Sequence, residues 1–323
     1  MKEESIIWIY LCLRPRVGRR RKECSINMDM DRFTEIVGPE SIRTQEPMSR
    51  HTTFRIGGPA DVFVTPKNSQ DLAGVLAYCK EEQIPYFILG NGSNLLVPDE
   101  GFRGVIICTR GLDFIQFQDT RVTAGSGMLL SRLAALVSRE GLTGLEFASG
   151  IPGTLGGAVT MNAGAYGGEI KDCIVSAEVM DKEGNIFELQ KDEMELSYRN
   201  SIIQRHELIV LAATFEFQVG DLRQIHDQIQ HLNQQRRMKQ PLEYGSAGST
   251  FKRPEGYFAG KLIQDVGLRG YRVGDVMVSE KHCGFVVNVG EGTYADAMKV
   301  IHHVQEEVKA KFGVDLELEV KTI

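Results

Sequence analysis

Gly150-Ile151-Pro152-Gly153-Thr-Leu-Gly156-Gly157-Ala158-Val-Thr-Met-Asn162-Ala163-Gly-Ala-Tyr-Gly-Gly168 is the densest glycine tract of the chain, and nine of the 28 residues from Gly141 to Gly168 are glycine. Glycines at this density let backbone lie flat against a large planar ligand. A second tract, Gly90-Asn91-Gly92-Ser93-Asn94-Leu95, follows directly on the apolar strand Tyr86-Phe-Ile-Leu89. It offers backbone N–H groups with no side chains in the way, which suits a pyrophosphate. Either tract alone could be a set of tight turns without a ligand. Together they favour a dinucleotide cofactor.

Around the first loop the pattern is β-α-β-loop-β. Asp61–Thr65 reads as a strand, and a helix capped by Ser69 turns Leu72, Val75, Leu76 and Cys79 inward. Tyr86–Leu89 and Gly104–Cys108 are the next strands. A second unit opens with the strand pair 114–118 and 121–124. A helix at about 128–140 follows, stopped by Gly141, then a hairpin of 174–180 and 185–189 turned by Asp181-Lys-Glu-Gly184. A long strand, 208–217, ends the unit. The third unit starts at Asp221 with a helix whose apolar stripe is Leu222, Ile225, Ile229 and Leu232. It continues through a helix at 259–266, a strand at 285–289, a last helix capped by Thr293 and Asp296, and a closing strand 314–320. The expected division is 1–45 as an ill-ordered extension, then units at 46–110, 111–220 and 221–323. Removing residues 1–40 is expected to be harmless, and Met28 or Met30 offers an alternative translation start.

At 323 residues, 42% hydrophobic and 25% charged, the chain has the size and composition of a folded enzyme of two or three domains. Lys and Arg number 37 against 43 Asp and Glu, a net charge of −6, which argues against nucleic-acid binding. Glycine, 34 residues or about 10.5%, exceeds the usual ~7%, while proline is not raised with it. Six dispersed cysteines form no CxxC or metal-type cluster and point to a reducing compartment. The longest apolar run near the start, Ile6 to Leu13, is far too short to span a bilayer. Its basic block follows the apolar run instead of preceding it, unlike a signal peptide.

The familiar signatures are missing: no GxGxxG after a strand, no GxxxxGK[ST], no GxSxG and no HExxH. His302 and His303 are adjacent on the last helix and diverge, so no metal is expected. Three polar positions remain that a core would not ask for: Tyr198-Arg199-Asn200-Ser201, Gly248-Ser249-Thr250-Phe251-Lys252-Arg253-Pro254, and the pair Glu317 and Glu319, which share a face if 314–320 is a strand. Taken singly, Arg199 reads as a surface arginine, Ser249 as a turn serine and Glu319 as a solvated strand residue.

From about Arg50 onward the chain resembles the UDP-N-acetylenolpyruvoylglucosamine reductase family. The likeness rests on Arg50-His-Thr-Thr-Phe-Arg-Ile-Gly-Gly58, Leu89-Gly-Asn-Gly-Ser-Asn-Leu-Leu96, Gly150-Ile-Pro-Gly-Thr-Leu-Gly-Gly157, Met161-Asn-Ala-Gly-Ala-Tyr-Gly167, Ser197-Tyr-Arg-Asn-Ser201, Ala247-Gly-Ser-Thr-Phe-Lys-Arg-Pro254 and Leu316-Glu-Leu-Glu-Val320, in family order. The short connection from 189 to Arg199 resembles the family's second type, which lacks a tyrosine-bearing substrate lid. The resemblance implies an α+β fold of the vanillyl-alcohol oxidase type, with two subdomains holding non-covalent FAD and a C-terminal α+β domain for substrate. The two glycine tracts, 90–95 and 150–163, become its cofactor loops.

The activity implied is hydride transfer from NADPH to FAD, then to the enolpyruvyl group of a UDP-sugar, in peptidoglycan precursor synthesis. Arg199 matches the family's arginine and Glu319 its glutamate, both suited to stabilising an enolate-like species. Ser249 matches the serine that protonates the carbon. Lys239 matches a lysine handling substrate anions, a role extended to Lys252 and Arg253. A cytoplasmic enzyme, monomeric or weakly oligomeric, without nucleic-acid partner or membrane insertion, is expected. Two rivals stay open: a flavin oxidase on the same fold, although no histidine for covalent FAD occurs in 141–168, and a UDP-sugar transferase without redox chemistry.

Overall fold

The structure, a computed structural model, describes residues 28–323. The first sheet runs in the order Ile42–Pro47, Pro59–Val64, Phe102–Cys108, Tyr86–Leu89. Its first pair is antiparallel and the other two are parallel. Parallel pairing needs a crossover, and the helix Ser69–Glu81 supplies it. That helix buries Leu72, Val75, Leu76, Tyr78 and Cys79. Its cap is Asn68, not Ser69: the Asn68 side chain accepts from Asp71 N at 2.8 Å, and Ser69 is already the first helical residue.

The expected ill-ordered extension is corrected for residues 28–45. Met30–Val37 is a helix capped by Asp29, and Ile42–Pro47 is the edge strand of the first sheet. Phe33 is fully buried and meets Tyr78 edge-on, with ring centroids 4.8 Å apart. Residues 1–27, the remainder of that expected extension, lie outside the described residues. Removing 1–40 would therefore strip Phe33 and Val37 from the first core, and the harmless outcome no longer holds. Phe33→Ala should cost about 3–5 kcal/mol of unfolding free energy, measurable as a lowered denaturant midpoint.

The second sheet is fully antiparallel, in the order Ile186–Gln190, Ile174–Met180, Ile209–Glu216, Arg121–Gly125, Ile115–Gln118. Its hairpin turn is held by Asp181, whose carboxylate accepts from the backbone of Glu183 and Asn185, each at 2.9 Å. The helix Leu130–Arg139 buries Leu130, Leu133, Ala134 and Val137 under this sheet. Met180, Ile209 and Leu211 join the core of the first unit, so the two units share an apolar seam.

The third sheet pairs Gly245–Ser246, Val286–Asn288, Val276–Val278 and Arg272–Val273 in that order, packed on Ala259–Asp265 and Tyr294–Phe312. The long helix Leu222–Lys239 lies against Leu130–Arg139 and the Glu146–Ala148 turn of the second unit. Leu222, expected inward, is exposed, whereas Ile225 and Arg236 are buried. The stripe therefore begins one turn later than its apolar residues imply.

The closing strand 314–320 is also corrected. That segment touches its neighbour through an isolated Phe251–Leu318 bridge, and regular pairing starts at Lys321–Thr322, parallel to Leu95–Leu96. Hydrogen bonds to 250–252 on one side and to Asn94 on the other tie the segment down: Glu319 N to Thr250 O at 2.9 Å, and Asn94 Nδ2 to Glu319 O at 2.9 Å. The chain end thus returns to the first glycine loop. No described helix is long and apolar enough to cross a membrane.

Candidate active site

A cavity of about 1310 Å³ opens between the units. Both glycine tracts line it: Gly90 to Leu95 throughout, and Gly150, Ile151, Pro152, Gly153, Gly156, Gly157, Ala158 and Ala163 of the second. The loops touch, because Asn91 Nδ2 donates to Pro152 O at 2.6 Å. Asn162 does not line the cavity. It is buried, and its amide bonds Glu169 Oε2, Ser197 O and Lys171 N at 2.8–3.2 Å, which fixes the loop.

The glycines have different reasons to be glycine. At Gly92, with φ +59°, an added Cβ would run into His51 O and the Thr52 backbone. At Gly157 an added Cβ would meet nothing nearer than Thr154 Oγ1 at 3.7 Å, so the space above it belongs to the cavity. Thr154 is itself 1% exposed, yet its hydroxyl has no hydrogen-bond partner. A cradle of open backbone with an orphaned donor fits a diphosphate and a planar ring system. The residues present fit FAD.

Arg199, Ser249 and Glu319 come together although 50 and 70 residues separate neighbours in sequence. They line both the large cavity and an adjoining one of about 360 Å³, so the three stand where the two spaces meet. Arg199 Nε donates to Glu319 Oε1 at 2.6 Å. Burial pushes the Glu319 carboxyl above its ordinary value, and Arg199 pulls against that shift. Arg199 sits at φ +54°, a left-handed conformation costly for a side chain that is not glycine. The Ser197–Asn200 bridge holds it there. The Ser249 hydroxyl makes no hydrogen bond to a described residue, which leaves its proton available to a ligand.

The expected substrate cations do not all gather here. Arg253 lines the smaller cavity, with its guanidinium 4.0 Å from the Phe258 ring centre. Lys252 lines neither space and pairs with exposed Glu317 at 2.9 Å. Glu317 stands exposed while Glu319 is largely buried, and Lys252 acts electrostatically on both carboxylates. Lys239 is exposed at the end of its helix and lines neither cavity. Sequence reasoning missed Lys261, Arg269 and Lys281, which line the smaller cavity, and Arg236 in the larger. The signal for Arg236 was present: it continues the stripe Ile225, Ile229, Leu232 at the next helical spacing.

Comparison with known proteins agrees with this geometry. Residues 60–190 match the family described as FAD binding domain, and residues 240–323 match the C-terminal domain of UDP-N-acetylenolpyruvoylglucosamine reductase. The chain is an FAD-binding oxidoreductase. It is 55% identical over 302 residues to UDP-N-acetylenolpyruvoylglucosamine reductase of Lachnoclostridium phytofermentans, covering 92% of this chain and 97% of that protein. Identity to the Clostridioides difficile reductase is 53% over 289 residues, 89% of this chain and 95% of that one. The crystal structure of the Thermus caldophilus enzyme superposes with a TM-score of 0.73 at 35% identity, over 85% of this chain and 97% of that one. The chain belongs to the UDP-N-acetylenolpyruvoylglucosamine reductase family, whose role lies in peptidoglycan precursor synthesis.

Proposed function

We propose that the protein reduces UDP-N-acetylenolpyruvoylglucosamine to UDP-N-acetylmuramate with NADPH as the electron source. The observation that carries this reading is the placement of Arg199, Ser249 and Glu319 at the junction of a cofactor-sized cavity and a smaller, cation-lined one. FAD, which the 90–95 and 150–163 glycine loops would hold in the larger cavity, would supply the redox chemistry that carries a hydride from NADPH to the terminal carbon of the enolpyruvyl group. Arg199 is the group that receives the charge which this addition pushes onto the substrate carboxylate. Glu319 holds the guanidinium in place through the 2.6 Å bond. Ser249 gives its proton to the carbon next to the carboxylate and regains one from solvent. A serine suffices because the enolate carbon is strongly basic. Arg253, which lines the smaller cavity and pairs with no described carboxylate, offers positive charge to the nucleotide diphosphate. Lys261 and Lys281 beside it are partly neutralised by Asp265 and Glu243. A local cation of this kind reconciles a net charge of −6 with an anionic substrate.

Absorbance in the flavin band tests the reading directly. Purified protein should be yellow, bleach with NADPH under anaerobic conditions and recolour on addition of the enolpyruvyl UDP-sugar. Recolouring by oxygen alone at the same rate would assign an oxidase instead. A colourless protein that still binds the UDP-sugar would assign a transferase.

A further inference from the structure

We infer that Arg236, from the Leu222–Lys239 helix, supplies the counter-charge for the diphosphate of the dinucleotide cofactor. The inference rests on FAD occupying the larger cavity. Arg236 lines that cavity and is only 6% exposed. Its Nε has no hydrogen-bond partner, and its guanidinium forms no ion pair with any described carboxylate. A buried, unpaired guanidinium is costly in a folded chain, so such a group is normally matched by an anion.

Other cations around the same cavity are already satisfied. Lys80 pairs with Glu183, Lys182 with Glu207, and Arg199 with Glu319. Arg55 has no ion pair but is exposed to solvent, where water satisfies it. Lys321 has none either, and desolvation, with Lys252 nearby, pulls its ammonium below its ordinary value, so it can shed its charge as an arginine cannot. Arg236 alone among these lining cations combines burial and a permanent charge with the lack of a partner.

Its position points to the diphosphate. The guanidinium packs so closely on Gly150 that any Cβ there would strike Nη1. Thr154, one of two buried hydroxyls without a partner among the described residues (Ser126 is the other), lies in the same relation to Gly90. Arg236 and Thr154 thus sit against the first glycine of each cofactor loop, and those loops supply backbone dipoles but no charge. A planar guanidinium offers paired N–H donors matched to phosphate oxygens. The Tyr166 ring, 5.7 Å from the guanidinium, covers it from the side. The substrate's own diphosphate is a poorer match, because Arg236 does not line the smaller cavity, which has cations of its own.

The test compares FAD with riboflavin, which shares the ring but carries no phosphate. Full-length protein is stripped of flavin and titrated by fluorescence quenching. Arg236→Met should weaken FAD by on the order of 30-fold or more, as loss of one partner of a buried charged contact does, and change riboflavin affinity little. Arg236→Lys should recover part of the loss. If Arg236→Met does not fold, Arg236→Gln, neutral but able to hydrogen-bond, takes its place with the same selective loss expected. Equal weakening of both flavins would overturn the inference, since it marks a ring contact or lost packing. Unchanged FAD affinity with a raised KM for the UDP-sugar would also overturn it, assigning Arg236 to substrate. Failure of unmodified protein to bind FAD would instead sink the cofactor reading itself.

Discussion

Ser249→Ala is expected to leave flavin reduction by NADPH nearly intact and to slow reoxidation by the enolpyruvyl substrate by about 10²–10⁴-fold, the usual cost of losing a positioned proton donor. The two half-reactions separate because hydride passes from NADPH without a proton from the serine, whereas the substrate carbon needs one. The structure makes the substitution clean. The Ser249 hydroxyl bonds no described residue, so its removal breaks no internal hydrogen bond and leaves the Arg199–Glu319 pair at 2.6 Å untouched. Stopped-flow absorbance in the flavin band resolves both phases on one sample. Equal slowing of both would indicate damage to the cofactor site, and unchanged reoxidation would return Ser249 to the role of a turn residue.

Legibility in the sequence followed physical locality. The glycine loops were readable because backbone approach to a ligand or to other backbone demands glycine, and no side chain can disguise it. The helices at Ser69–Glu81 and Tyr294–Phe312 were readable from their periodic faces. The meeting of Arg199, Ser249 and Glu319 was not. It depends on the irregular segment 317–319 lying between Thr250 and Asn94, a tertiary arrangement without a local signal, and the three were singled out through family resemblance. Residues 30–47 were missed because an eight-residue helix anchored by Phe33 and Val37 offers one i,i+4 pair and no repeat. Arg236 was missed for the opposite reason: it obeys the periodicity, but an arginine at an inward position reads as the end of the apolar face. The reading of Gly92 was incomplete, since what an added Cβ would strike there is the His51–Thr52 backbone.

That distinction among glycines sets up the strongest test of where the cofactor lies. Gly157→Leu should abolish FAD retention without unfolding the protein. The residue is helical, in Leu155–Thr160, and an added Cβ meets only Thr154 Oγ1 at 3.7 Å, an ordinary contact. Replacing a helical glycine should if anything stabilise the flavin-free chain, by roughly 0.5–1 kcal/mol. The remaining side-chain atoms would stand in the space assigned to the cofactor. Gly92→Ala is the contrasting substitution: its Cβ would collide with the His51 carbonyl at φ +59°, so flavin content and flavin-free stability should fall together. The measurements are the flavin-to-protein absorbance ratio after gel filtration and the Tm of the stripped protein, since bound flavin would itself raise the Tm. Gly157→Leu protein that keeps full flavin would place the cofactor away from this helix. A stripped protein destabilised as much as Gly92→Ala would mean that the open space over Gly157 is needed by the fold and not by the ligand.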